Sequence, residues 1–193
     1  MSEHRNSILL NFVSPFRFHA LEGSPSGGAA LYDKYVEHLK TAKTPEEYYN
    51  YFGALGQFPE ASLAKRTFDF VLSPAVRNQD LFYLSGLLGN YATQSVAWEL
   101  FKTDFKAIMD KGGPGLGAGI VQVAGFFCDE TLRDDSQKFF AAKNVPGSKR
   151  VLENAKDAVN ACIELRSLQQ AKLAEYLKTS PAKNAAGASG AAR

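Results

Sequence analysis

A chain of 193 residues with 45% hydrophobic and 22% charged side chains has the makeup of one globular domain with a real core, or of one domain with tails. Its 22 basic and 20 acidic residues leave a net charge of +2, and they are interspersed as on a solvated helical surface. That balance is too small to grip a phosphate backbone, so nucleic acid is excluded as an expected partner. Cys128 and Cys162 stand alone, without CxxC spacing. They read as two buried thiols in a reducing compartment rather than as a disulfide framework or a zinc ribbon.

In chain order, residues 1–28 carry little pattern. SILLNFV at 7–13 lacks the basic lead-in and small-residue cleavage site of a signal peptide. GSPSGG at 23–28 has linker composition. No apolar run reaches the roughly 20 residues of a membrane span, so the expectation is a soluble, cytoplasmic chain with no membrane partner.

From Ala29 the text turns helical. Leu31, Tyr35 and Leu39 form an amphipathic stripe at i, i+4 and i+8. Thr44, Pro45 and Glu47 spell a capping box with a first-turn proline, opening a helix whose face is Tyr48, Phe52 and Leu55 and whose end is Gly56. The next helix starts at Pro59 and carries Leu63, Phe68, Val71 and Leu72. Ser73 and Pro74 repeat the cap-plus-proline device, and Asp80 is placed to cap a helix LFYLSGLLG closed by Gly89.

TQSVAWELFKTDFKAIMDKG reads as one helix, with Val96, Ala97, Leu100, Phe101, Phe105 and Ile108 turned inward and Trp98 in the same core stripe. GGPGLGAG breaks it, and IVQVAGFFC opens another element. Asp129 or Thr131 then caps a helix holding Leu132, Phe139 and Phe140. A long final helix runs from Ser148 to about Lys178, with apolar positions at 151, 155, 158, 162 and 165. Residues 179–193 read as a disordered Ala/Gly/Ser tail.

No segment has the look of a strand hairpin. The expected fold is all-α, an α-solenoid of HEAT- or armadillo-like antiparallel helix pairs over 29–178, with cap-plus-proline starts recurring near 44, 58 and 73.

The chemistry-bearing residue types do not converge. His4, His19 and His38 have no second metal donor at helical spacing. Gly112, Gly113, Gly115, Gly117 and Gly119 lack the following GK[ST] and the preceding strand of a nucleotide cradle, and read as a loop. Asp129 and Glu130 beside Cys128 would oppose a thiolate. No catalytic residue and no metal ligand is therefore assigned, and no cofactor is expected in the chain. What stands out is Arg77, Asn78, Gln79 and Asp80 in SPAVRNQD, four polar residues between apolar runs. Either Arg77 pairs with Asp80 and bridges two helices, or it points into a groove and binds a carboxylate.

The runs RTFDFVLSPAVRNQD, LLGN, SVAWELFKTDF and FFCDETLRDDSQKFF occur in the order found in a known family. The matching positions are Arg66, Phe68, Leu72, Ser73, Val76, Arg77, Gln79, Asp80, Ala97, Trp98 and Leu100, and ALYDKYVEHLKTAKTPEEYYNYFGALGQF extends the match upstream. The chain resembles the C-terminal helical domain of zinc aminopeptidases of the aminopeptidase N and puromycin-sensitive type, including the endoplasmic-reticulum aminopeptidases, over 29–178.

The resemblance implies a helical lid closing over the active site of a metalloprotease that removes N-terminal residues from peptides. It places the zinc in an earlier catalytic domain, with HExxH and GxMEN motifs that this sequence lacks. A catalytic domain in cis and a peptide substrate are thus the implied partners, with no activity expected of the chain alone. Residues 1–28 do not resemble the family and read as a truncated or re-initiated start. The second reading is a stand-alone helical-repeat scaffold that binds a partner protein.

Overall fold

The computed structural model describes residues 28–113, 116–143 and 145–179. They run as α1 (Gly28–Thr41), α2 (Pro45–Leu55), α3 (Ala61–Leu72), a 3-10 helix (Asn78–Tyr83) leading into α4 (Leu84–Leu88), α5 (Gln94–Thr103) and α6 (Phe105–Gly112). A second 3-10 helix (Gly117–Phe126), α7 (Glu130–Lys143) and α8 (Lys149–Thr179) complete the order. The fold is all-α, with no strand among the described residues. Residues 1–27 and the Ala/Gly/Ser tail from 180 on lie outside them.

The first layer forms as the caps dictate. Thr44 Oγ1 accepts from Glu47 N–H at 3.1 Å and starts α2. The Glu47 carboxylate reaches back to the N–H of Lys43, at 3.0 Å, rather than to that of Thr44 itself. On α1 the inward line is Tyr32 and Leu39, while Leu31 and Tyr35 are only half-buried. A polar contact turns the helix this way. The Tyr32 hydroxyl meets Thr67 Oγ1 at 3.0 Å, and the Thr67 hydroxyl is 3.1 Å from the Leu55 carbonyl, so α1, α2 and α3 are joined at one buried point. Helix α3 begins at Ala61, two residues after the proline expected to start it, with Glu60 at its N-cap.

The region read as one helix from Thr93 is two. Asp104, at φ −99° and ψ 16°, separates α5 from α6. Ala97, Trp98 and Phe101 face the core, and Phe105 and Ile108 continue the burial on α6. Val96, expected inward, is exposed, and Leu100 is half-buried. Val96 precedes Trp98 by two residues, about 200° around the helix, so the face that buries the indole must turn the valine out. Gly113 ends α6 at φ +60°, a conformation glycine adopts without strain.

The second layer is aromatic. Trp98 lies 5.4 Å, centroid to centroid, from each of Phe101, Phe127 and Phe139, and Phe140 is 5.9 Å away. Its indole N–H donates to Asp135 Oδ2 at 2.7 Å. Lys102 donates to the same oxygen at 2.7 Å and also pairs with Glu99 at 2.8 Å. The hydrogen bonds from Lys102 and then Trp98 hold the Asp135 carboxyl below its usual range, and those to Asp135 and Glu99 raise the Lys102 ammonium. The second 3-10 helix, with Ile120, Val121, Val123 and Ala124 buried, packs on the first half of α8.

Helix α8 covers the expected range, but Val159 takes the core position assigned to Ala158, and Leu165 is exposed. Asp129 caps α7 by accepting from the Leu132 N–H at 3.0 Å, settling the choice between Asp129 and Thr131. The loop holding that cap brings Cys128 against α8. Cys128 and Cys162 are bonded, with Cα atoms 5.4 Å apart, which corrects the expectation of two free thiols. A separation of 34 residues carries no pairing signal of its own; only the packing of α7 and α8 supplies it. No described helix is long and apolar enough to cross a membrane.

Replacing Asp135 with Ala leaves the Trp98 indole N–H buried without an acceptor, so unfolding stability should fall by about 1–3 kcal/mol. Asp135→Asn keeps an acceptor and should cost less. Because the folded-state carboxyl titrates below its ordinary value, its contribution is complete above that value and vanishes as pH falls through the depressed one. The gap between wild type and Asp135→Asn in urea unfolding should therefore be constant from neutrality to about pH 5 and close below about pH 4. A gap that widened in acid would contradict the assignment.

Candidate functional site

SPAVRNQD occupies the turn between α3 and α4, and its polar residues do not share one role. Ser73 caps the end of α3, its hydroxyl donating to the Phe70 carbonyl at 2.7 Å. Val76 is buried and fixes the turn to the core. Asp80, expected to cap the following helix, instead sits within the 3-10 helix Asn78–Tyr83, where Arg77 holds the N-cap position. The carboxylate turns inward because it has partners there. The Tyr49 hydroxyl of α2 lies 3.1 and 3.3 Å from its two oxygens, and Arg77 Nε donates to Oδ2 at 3.0 Å. The Arg77 terminal nitrogen also reaches the Tyr49 hydroxyl.

Burial divides the four residues sharply. The Asp80 side chain is 4% exposed and that of Arg77 is 62% exposed. Asn78 and Gln79 are exposed as well. The structure thus brings Arg77 and Asp80 together and leaves Asn78 and Gln79 at the surface. Arg77 is held along one edge of its guanidinium and open along the rest, a geometry suited to a carboxylate or backbone carbonyl arriving from outside.

Four participants were not assigned to the site from the sequence. Lys111, at the end of α6, donates to the carbonyls of Ser73 and Val76 at 2.8 and 2.7 Å, so a cation from another helix closes the C-terminal end of α3 and its turn. Tyr49 and Tyr83 stack with planes 2° apart at 5.8 Å, beside the Asp80 carboxylate. Phe82 projects from the same 3-10 helix and is 62% exposed. The tyrosine pair at 48–49 was a sequence hint of an aromatic face, but nothing local to either segment links Tyr49 to an aspartate 31 residues on.

The tyrosines around Asp80 are electrostatically marked. Burial pushes the Tyr48 and Tyr83 hydroxyls above the ordinary tyrosine value, and the Asp80 charge adds to both. Removing that charge should let them ionise earlier. In Asp80→Asn, an alkaline titration followed by tyrosinate absorbance should show these two hydroxyls moving down toward the ordinary value, with burial still holding them above it. An unchanged titration would mean that the Asp80 charge does not act on them.

A groove of about 600 Å³ runs past Tyr91, Ser95, Cys128, Thr131 and Arg166. Of the three histidines, only His38 is among the described residues, and it stacks on Tyr51 at 4.6 Å. No three His, Cys, Asp or Glu side chains among the described residues are grouped to hold a metal ion.

Comparison with known proteins completes the picture. Residues 20–161 match the family model described as the ERAP1-like C-terminal domain. The chain is 24% identical over 156 residues to aminopeptidase 2, mitochondrial, of Saccharomyces cerevisiae, covering 79% of this chain and 16% of the yeast protein. It is 29% identical over 132 residues to aminopeptidase M1-A of Oryza sativa subsp. japonica, and 26% identical over 132 residues to aminopeptidase M1 of Arabidopsis thaliana. Each of these plant matches covers 67% of this chain and 15% of the relative. The chain therefore spans about a sixth of the length of these relatives. An ordered series of helices carrying the VRNQD turn and the AWEL segment, matched by the family model over most of its length, places this chain in the ERAP1-like C-terminal domain family.

Proposed function

We propose that this chain is the C-terminal helical domain of a zinc aminopeptidase, silent in catalysis by itself, and that it shapes which peptides reach a catalytic domain joined to it in the same polypeptide. The observation that carries this reading is the family match over residues 20–161, joined with aminopeptidase relatives of which the chain spans only a sixth. The described residues offer no donor set that fits zinc, so no chemical step is assigned to this chain. In this reading α1 to α8 stack as HEAT-like layers, and the peptide and the catalytic domain meet the face that carries the VRNQD turn.

Within that proposal, Arg77, Asn78, Gln79 and Asp80 share the work unequally. Asp80 fastens the turn to Tyr49 of α2 and makes it an inter-helix junction. Arg77, Asn78 and Gln79 supply the exposed polar edge for peptide or for the catalytic domain. Of the three sequence arguments for a cytoplasmic location, the one from free thiols falls, since Cys128 and Cys162 are paired. Those from the missing signal peptide and membrane span are what support it in this reading.

The test is made in the complete enzyme. Arg77→Ala should change the ratio of kcat/KM for long and short peptides by roughly fivefold or more, as loss of one charge-assisted contact implies, while hydrolysis of a single aminoacyl amide changes little. The purified 193-residue chain should release nothing from aminoacyl amides, with or without added zinc. An unchanged length ratio together with unchanged stability removes Arg77 from the account. A native product of 21 kDa with no companion catalytic chain would favour the stand-alone scaffold instead.

A further inference from the structure

The VRNQD turn is fixed at two levels, and different residues serve each. The Arg77 guanidinium is held by the Asp80 carboxylate and the Tyr49 hydroxyl. The backbone that carries it is held from another helix. Lys111 Nζ donates to the Val76 carbonyl at 2.7 Å and to the Ser73 carbonyl at 2.8 Å. The Val76 carbonyl shares a rigid peptide plane with the Arg77 N–H, so the ammonium fixes the plane from which Arg77 departs. The Ser73 carbonyl also accepts from the Val76 N–H at 3.2 Å, and the Val76 side chain is buried. One ammonium therefore spans both ends of the Ser73–Val76 turn.

Lys111 can do this because its own place is fixed. It stands three residues after Ile108, on the same side of α6, and Ile108 and Phe105 are buried in the core. Just beyond it the chain folds back tightly. A Cβ at Gly112 would lie 2.5 Å from Leu116 Cδ2, and Gly113 takes φ +60°. Lys111 itself is half-buried. Both of its bonds go to carbonyls at the C-terminal end of α3, where the helix dipole favours a cation.

We infer that Lys111 is a positioning residue: from α6 it sets the peptide plane ahead of Arg77, and so the direction in which the guanidinium meets an arriving peptide. This rests on the reading that the VRNQD turn contacts substrate. Without the ammonium, Asp80 and Tyr49 still hold the guanidinium and the freed carbonyls can turn to water, so the fold survives. What is lost is preorganisation. The Val76–Arg77 plane rotates more freely, and the cost of ordering it falls on the binding step. An effect on binding alone shows in KM and not in kcat.

The test uses the complete enzyme with two variants. Lys111→Met keeps the apolar stem and removes the charge, and Lys111→Arg keeps the charge and the donors. Kinetics on a long peptide and on a single aminoacyl amide are measured beside hydrogen–deuterium exchange over residues 73–80. In Lys111→Met, KM for the long peptide should rise about threefold or more with kcat unchanged, while amide hydrolysis changes little. Exchange over 73–80 should quicken about tenfold. Lys111→Arg should restore most of the KM. Added to Arg77→Ala, Lys111→Met should raise KM no further, because the group it orients is gone. If Arg77→Ala alters the ratio for long and short peptides and Lys111→Met does not, this inference is overturned and the reading of the turn stands. If neither variant alters it, the peptide-contact reading fails and takes this inference with it. An equal rise in KM in the Arg77→Ala background would overturn it as well, since Lys111 would then act elsewhere. So would a fall in kcat for peptide and amide alike, or a Lys111→Met chain that does not fold, either of which makes Lys111 a general support.

Discussion

A buried carboxylate such as that of Asp80 is tolerable only where donors surround it, because the desolvation of an unpaired charge costs several kcal/mol. That demand organises the first half of the molecule. The donors come from Arg77, three residues back, and from Tyr49 on a different helix. Once Tyr49 is engaged, α2 is in register with the turn after α3, and Tyr83 stacks on its ring. Lys111 then secures the carbonyls of the turn from α6. The surface edge of Arg77 is therefore stiff for a reason buried beneath it. Any partner that meets it meets a guanidinium whose orientation has already been fixed, which lowers the ordering cost of contact.

The second half solves a similar problem with the polarity reversed. There the buried group is an indole N–H, and the partner, Asp135, stands near the surface with Lys102 beside it. Around the indole the phenylalanines meet mostly edge to face, an arrangement that adds about 0.5–1.5 kcal/mol per pair beyond burial. The two halves are stitched by amides. Asn90 donates to the carbonyls of Gly56 and Phe58 at 3.2 and 3.1 Å, and Gln94 donates to those of Leu88 and Phe126 at 2.6 and 3.3 Å. These contacts carry the rigidity of one layer into the next.

Legibility tracked the range of the interaction. The cap at Thr44, the closure at Gly56 and the helical class are local, and the sequence showed them because the responsible atoms lie within one turn. The break at Asp104 was not readable, since the hydrophobic pattern continues through it and only the packing of Phe105 and Ile108 turns the chain. The same holds for α1, where a stripe drawn from Leu31, Tyr35 and Leu39 missed Tyr32 by one position. The deciding contact is with Thr67, 35 residues away. At the candidate site the polar run announced itself, yet Asp80 looked like a cap because its neighbours along the chain could not reveal Tyr49. The disulfide is the extreme case, for which spacing carried no information.

Two parts of the domain are held in different ways. The VRNQD turn is held by several noncovalent donors from separate helices, so loosening any one leaves the others in place, and a change of redox state touches none of them. Where the cap of α7 meets α8, one covalent bond and one long hydrogen bond both end on Cys128. Held by many small terms, the turn loses only a fraction of its support when one is removed. A covalent link is present or absent, so the junction at Cys128 has no such graded response.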